Sequence, residues 1–251
     1  MNGKYIDSIK FDGTIKKDSY LLSIPAVQYL LKKKTLVLTS NVTFLVGENG
    51  TGKSTLAEAI AIAYGFNSEG GTKNFNFSTT KSHSELYEHI RLVKSKYAKD
   101  GFFLRAESFY NLASNIDELD QIPSYSPKLI YNYGGKSLHS QSHGESFLSL
   151  IEHRFGGNGL YILDEPEAAL SPMKLLSLMV AINELIKKNS QFIIATHSPI
   201  LMAFPGAQIL QLSDNGIEEV DYKTTDHYII SKQFLEKPEQ MLKYLFDENN
   251  V

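Results

Sequence analysis

The sequence predicts an α/β fold: a mostly parallel core sheet flanked by helices, with an N-terminal antiparallel β part and a small helical subdomain. Three observations predict it. Short apolar runs alternate with longer helical segments through the second half of the 251-residue chain, the pattern of parallel strands buried on both faces. A glycine loop at residues 47–54 stands between an apolar run and an Ala- and Ile-rich helix. No repeat of ~20–50 residues is visible, which argues against solenoids and propellers.

Taken in order, residues 5–11, 35–38 and 42–46 read as short β runs, and Pro25 opens a short helix, PAVQYLLKK. Residues 53–64, KSTLAEAIAIAY, read as a helix closed by Gly65. The stretch 65–83 is rich in Gly, Asn, Ser and Thr and is expected to be the most mobile loop. SELYEHIRLVKSKY (84–97) has a helical pattern, and GFFLRAE (101–107) reads as a buried strand running into a loop. Then come a helix at 144–155, the strand LYIL (160–163), a helix at 172–188 with Pro172 in its first turn, and the strands QFIIA (191–195) and AQILQL (207–212). Asp214-Asn215-Gly216 turns a hairpin into IEEV. Residues 226–247 read as helix split by Pro238, with a frayed end. The expectation is a single domain: core segments 35–105 and 159–212, a helical subdomain at 106–158, and a C-terminal hairpin and helices at 213–251.

Composition narrows the chemistry. There is no cysteine, which excludes a disulfide framework, a thiolate metal site and a cysteine nucleophile. The net charge of -3 argues against a strongly basic nucleic-acid coat, though not against a local patch. No uncharged apolar segment reaches the ~18 residues needed to cross a bilayer, and the charged N-terminus has no secretory h-region. A cytoplasmic protein, or the cytoplasmic subunit of something larger, is expected.

Residues 47–54 read Gly47-Glu48-Asn49-Gly50-Thr51-Gly52-Lys53-Ser54, or G-x-x-x-x-G-K-[ST], with a strand before and a helix after. That context makes a phosphate-binding loop. The glycines let several N–H groups curl around one anion, and the helix N-terminus adds partial positive charge. Lys53 can reach the β- and γ-phosphates of a nucleotide, Ser54 can bind Mg²⁺, and Thr55 can contact the α-phosphate. At 160–166, LYILDEP delivers Asp164 and Glu165 to a strand's C-terminal end, where open α/β sheets bind ligands. Asp164 is placed to hold Mg²⁺. Glu165, turned the other way by strand alternation, is placed to activate a water as general base.

The two motifs together resemble the ABC-type ATPase superfamily. Gln141-Ser142-His143-Gly144-Glu145, with Ser142 22 residues before Asp164 (164 − 142), resembles the family's signature Leu-Ser-Gly-Gly-Gln. The resemblance implies that Ser142, Gly144 and Glu145 receive the γ-phosphate held by a second subunit. Ser142 and Glu145 also have the spacing of a capping box, and both readings can hold together. Ala169-Leu170-Ser171-Pro172 stands where the family carries its D-loop. His197, 33 residues beyond Asp164 (197 − 164), resembles the switch histidine that contacts the γ-phosphate.

LDEPE, ALSP and IIATHSP are similar to the RecF/SMC-like, non-transporter branch and to small AAA-labelled predicted ATPases near it. Only 87 residues separate Lys53 from Ser140 (140 − 53), without sustained heptads, so the long coiled-coil arm of the SMC branch is absent. One departure stands out. No glutamine lies between Gln28 and Gln121, so the family's Mg²⁺-contacting glutamine is missing, and Glu107, beside Arg105, is its positional stand-in.

The resemblance implies Mg²⁺-dependent ATP hydrolysis in a two-fold dimer with ATP between the chains, switching an effector protein in DNA maintenance or anti-phage defence. A transporter's nucleotide-binding subunit and an ATP-binding module with little turnover are the alternatives. Other candidates carry less. His139 and His143 have a possible metal-ligand spacing without a third ligand. Lys32–Lys34, Lys94, Lys96 and Lys99 suit nucleic-acid phosphates but more commonly form solvated faces. Tyr5 or Tyr20 could stack on adenine.

Overall fold

The computed structural model describes residues 3–72, 84–123 and 127–246. Most of the loop expected at 65–83, and the frayed end expected after 246, lie outside the described residues.

A six-stranded sheet forms the centre, in the spatial order β5 (Asp100–Arg105), β6 (Gly159–Asp164), β7 (Gln191–Ala195), β3 (Val42–Gly47), β8 (Gln208–Ser213) and β9 (Gly216–Glu219). Every pairing is parallel except the β8–β9 hairpin. Strands β3, β6 and β7 are buried along their whole length, which is why they read as unbroken apolar runs. Alternation along each strand sends its side chains to opposite faces. Leu45, Leu160, Ile162, Ile193 and Ala195 join one core, while Phe44, Tyr161, Leu163, Phe192 and Ile194 join the other.

The first core lies under α2 (Lys53–Tyr64) and a three-stranded antiparallel sheet of β2 (Thr35–Val37), β1 (Ile6–Phe11) and β4 (Ile90–Lys94). Helix α1 (Pro25–Lys33) packs beside it, with Pro25 in its first turn as expected. The second core gathers α3 (Phe109–Gln121), α4 (His143–Arg154), α5 (Pro172–Lys187) and the short α6 (Pro199–Met202). Gln191 joins the two sheets. Its buried amide oxygen accepts from the Tyr5 and Ile6 N–H groups at 2.7 and 2.9 Å, and its NH₂ donates to the Ile6 carbonyl at 2.9 Å.

The helix expected at 84–97 does not form. A short 3₁₀ turn, Glu85–His89, leads into β4, which pairs antiparallel with β1. Leu86, Ile90 and Val93 fit a helical spacing, but Ile90 and Leu92 are buried with Arg91 exposed between them. Period two prevails because β1 offers β4 a ladder partner. The C-terminal helices α7 (Asp226–Glu236) and α8 (Pro238–Phe246) split at Pro238 as expected. Among the described residues, no helix is long and apolar enough to cross a membrane.

Candidate active site

Because β5, β6, β7 and β3 run parallel, their C-terminal ends reach one edge of the sheet. Register sets Arg105 beside Asp164 and Asp164 beside Ala195, while Ala195 also pairs with Leu45, two residues before the glycine loop. The ladder runs on past the strand ends: Glu165 N–H donates to the Ala195 carbonyl at 2.9 Å, and Thr196 N–H to the Leu45 carbonyl at 3.1 Å. Residues far apart in sequence are thereby brought together.

The loop after β3 needs its glycines. Gly47 has φ +143°, and a Cβ there would stand 2.1 Å from the Leu212 carbonyl oxygen. Gly52, at φ +99°, opens α2, and a Cβ there would stand 2.5 Å from the Ile24 side chain. Glu48, Asn49 and Gly50 form the exposed tip, Thr51 to Lys53 are buried, and Ser54 and Thr55 are half-buried in the first turn of α2. The Glu48 carbonyl accepts from Thr51 Oγ1 at 2.8 Å and from Lys53 Nζ at 2.9 Å, so the loop is braced by its own side chains. Burial lowers the Lys53 pKa, against the pull of Glu165, Asp164, Glu48 and Glu167, which face it.

Asp164 is almost fully buried. Desolvation pushes its carboxyl up to about 6, while Arg105 and the Ser54 hydroxyl draw it down and Glu165 and Glu107 push it further up. Its Oδ2 lies 3.1 Å from Arg105 Nε, and its Oδ1 is buried with no partner among the described residues. Glu165 sits at φ +49°, a left-handed conformation that costs a non-glycine residue on the order of 1–3 kcal/mol and is typical of functional turns. Its Oε1 lies 3.7 Å from His197 Nε2, which is also buried with no hydrogen-bond partner among the described residues. The His197 N–H donates to the Glu167 carboxylate. Burial and the nearby Lys53 lower the His197 pKa, against the pull of Glu165 and Glu48, which favours the neutral ring.

The expected stand-in for the missing glutamine is placed differently from its neighbour. Glu107 is exposed at the rim, with Arg105 Nε 3.8 Å away. Arg105 is the residue against Asp164. Its NH1 also donates at 2.6 Å to Glu58, a buried carboxylate on α2 that accepts the Ser84 N–H as well. Glu58 follows Ser54 by one helical turn and so shares its face of α2.

Ser142 caps α4. Its N–H and hydroxyl donate to Glu145 Oε2 at 3.0 and 2.5 Å, and Lys174 Nζ stands 3.5 Å from Ser142 Oγ. Gly144 is packed so that a Cβ would stand 2.9 Å from the Ala169 carbonyl oxygen. Among the described residues, the Ser142 side chain makes no hydrogen bond to the glycine loop. Ser142 is exposed, together with Glu145.

The minor candidates have local partners. His139 pairs with Ser114 Oγ at 3.0 Å, and His143 packs edge-on against Phe109. Tyr5 is buried and donates its hydroxyl to the Asn189 carbonyl, while Tyr20 is exposed. Lys34, Lys94 and Lys96 lie over the rings of Phe11, Tyr64 and Tyr5.

A family profile described as an AAA domain matches residues 22–243, a span that holds both the glycine loop after β3 and the acidic pair at the end of β6. The chain belongs to the AAA domain family. Its ABC-type, P-loop ATPase fold is also that of MJ1267, an ATP-binding cassette of an ABC transporter: TM-score 0.50, 18% identity, covering 96% of this chain and 99% of that one. Two curated relatives, each a ribose import ATP-binding protein RbsA of Bacillus cereus, are 24% and 26% identical over 178 residues. The match covers 64% of this chain, which spans about a third (35%) of the length of those relatives.

Four residues of this candidate site were not singled out from the sequence. Glu58 is the lone acid in an otherwise apolar run of α2, and that isolation was a usable signal. Arg105 had one too, standing beside the residue proposed for the missing glutamine. Glu167 lies in the LDEPE run, and His227 had no signal; the partner of each stands 30 residues away in sequence.

Proposed function

We propose that this chain binds Mg-ATP at the glycine loop and hydrolyses it to ADP and phosphate. The observation that carries the reading is that two buried atoms, Asp164 Oδ1 and His197 Nε2, have no hydrogen-bond partner among the described residues and lie in a cluster with Lys53 and Glu165. An orphaned buried carboxylate oxygen beside the Ser54 hydroxyl fits a hard divalent cation. Ser54 and Asp164 would hold Mg²⁺, with Glu107 a further carboxylate at the rim. When bound, that ion neutralises charge developing on the β- and γ-phosphate oxygens.

The chain's own groups supply the rest. Loop N–H groups and Lys53 bind the phosphates, and Glu48, Asn49, Gly50 and Thr51 shape the loop that presents them. Glu165 takes a proton from the attacking water. His197, neutral, donates from Nε2 to a γ-phosphate oxygen. The exposed Ser142 and Glu145, with the buried Gly144 between them at the start of α4, complete the site of a second copy, so ATP joins two chains head to tail. Hydrolysis separates them and switches an effector protein. The motif resemblance supports an effector in DNA maintenance or anti-phage defence. Likeness to ribose import ATP-binding proteins favours a second reading, a nucleotide-binding subunit of a membrane transporter, which would show as co-purification with a membrane protein.

Lys53→Ala tests the binding half. Removing one charge-assisted hydrogen bond costs about 1.5–3 kcal/mol, so affinity for Mg-ATP should fall ~10-fold or more. Thermal shift titrated with Mg-ATP reads this directly. Equal stabilisation of variant and parent would remove the phosphate-loop assignment.

A further inference from the structure

One neighbour at this site comes from outside the core sheet. His227, in the first turn of α7, places its Nε2 3.1 Å from His197 Nδ1, with the two rings tilted at 53°. Thr225, buried and fixed by its own hydroxyl bond to the Tyr222 carbonyl, caps α7 by accepting the Tyr228 N–H. The start of α7 is therefore held in place, and His227 with it.

Two neutral imidazoles that meet through one nitrogen each can share one hydrogen bond, and its direction decides both tautomers. If His197 donated from Nδ1, its Nε2 would carry a lone pair facing the Glu165 carboxylate, 3.7 Å away. A lone pair opposed to an anion is unfavourable. If His227 donates from Nε2, His197 accepts at Nδ1 and carries its proton on Nε2, toward Glu165. Burial favours the uncharged form of both rings. The geometry points to His227 as a positioning residue: its Nε2–H holds His197 as the Nε2–H tautomer, oriented to donate to a γ-phosphate oxygen. This rests on the reading of His197 as a donor to the γ-phosphate. It also ties the C-terminal helical pair to the reaction centre.

The test compares His227→Phe, which keeps a ring without a donor, His227→Gln, whose amide can donate from a similar position, and His197→Ala, all in the full chain. Long-range ¹H–¹⁵N NMR of the histidine rings reads the His197 tautomer, and steady-state kinetics separates kcat from KM. The expected result is an Nε2–H tautomer at His197 in the parent and in His227→Gln, and a mixture in His227→Phe. Losing one hydrogen bond corresponds to a fall in kcat of about 3–10-fold in His227→Phe, with KM for ATP unchanged and the loss largely recovered in His227→Gln. Impaired His197→Ala with a parent-like tautomer and kcat in His227→Phe would overturn the positioning role alone. His197→Ala turning over ATP at the parent rate would overturn the γ-phosphate reading of His197, and this inference with it.

Discussion

Arg105→Ala should destabilise the protein and at the same time enlarge its response to Mg-ATP. One guanidinium faces two buried carboxylates, donating to Glu58 at 2.6 Å and standing 3.1 Å from Asp164. The Glu58 and Asp164 side chains are only 6% and 3% exposed, so water cannot replace the missing cation. Breaking a buried ion pair by removing one partner costs about 3–5 kcal/mol. For a chain of this size, each kcal/mol moves Tm by about 2–4 °C, so the fall should be roughly 6–20 °C. Thermal unfolding followed by circular dichroism in EDTA measures it. A divalent cation beside Asp164 would restore part of the missing positive charge. The Tm gain from saturating Mg-ATP should therefore be larger in the variant than in the parent, and larger than the gain from ATP with EDTA. Arg105→Lys, which keeps the charge but loses the fork that spans both carboxylates, should fall in between. A variant melting within 2 °C of the parent, the order of ~1 kcal/mol or less, would refute the claim that Arg105 neutralises this pocket.

Two further predictions concern the loop and the dimer. Gly47→Ala places a Cβ 2.1 Å from the Leu212 carbonyl oxygen in a left-handed backbone, so the β3–β8 edge must part; nucleotide binding by thermal shift should be lost while the circular dichroism spectrum stays α/β, and unaltered binding would contradict the close approach. Ser142→Arg should leave Mg-ATP binding to its own loop intact but abolish turnover, and mixing it with Lys53→Ala should restore phosphate release, because each heterodimer then contains one complete composite site; inactive mixtures would contradict action between chains.

Much of this was legible in the sequence because the signals are local. The bounds of α2 follow from Gly52 and Gly65, both in left-handed caps. The strands β3, β6 and β7 read as apolar runs because helices or the small sheet cover both their faces. The spacing from Asp164 to His197 was informative because two neighbouring parallel strands end at one edge. What stayed hidden depends on register or on partners distant in the chain. Arg105 meets Asp164 only because β5 and β6 pair with those two residues opposite each other. A carboxylate, Glu107, suited a metal by chemistry alone, yet the strand's last residue is Arg105, and it turns to the buried acids. Residues 84–97 could satisfy period two and period 3.6 alike, and the pairing of β4 with β1 decided between them. His227 lies in a helix whose sequence carries no mark of the site.

The central claim is that Glu165 activates water for attack on ATP held at this loop. Single-turnover release of labelled phosphate from Mg-ATP, compared between the parent and Glu165→Gln, tests it most directly. The variant keeps the side chain's shape, Asp164 and the glycine loop, so ATP should stay bound while release slows by ~10²–10⁴-fold, the usual range for loss of a general base. Equal rates in parent and variant, or a parent that binds ATP and releases no phosphate, would contradict it.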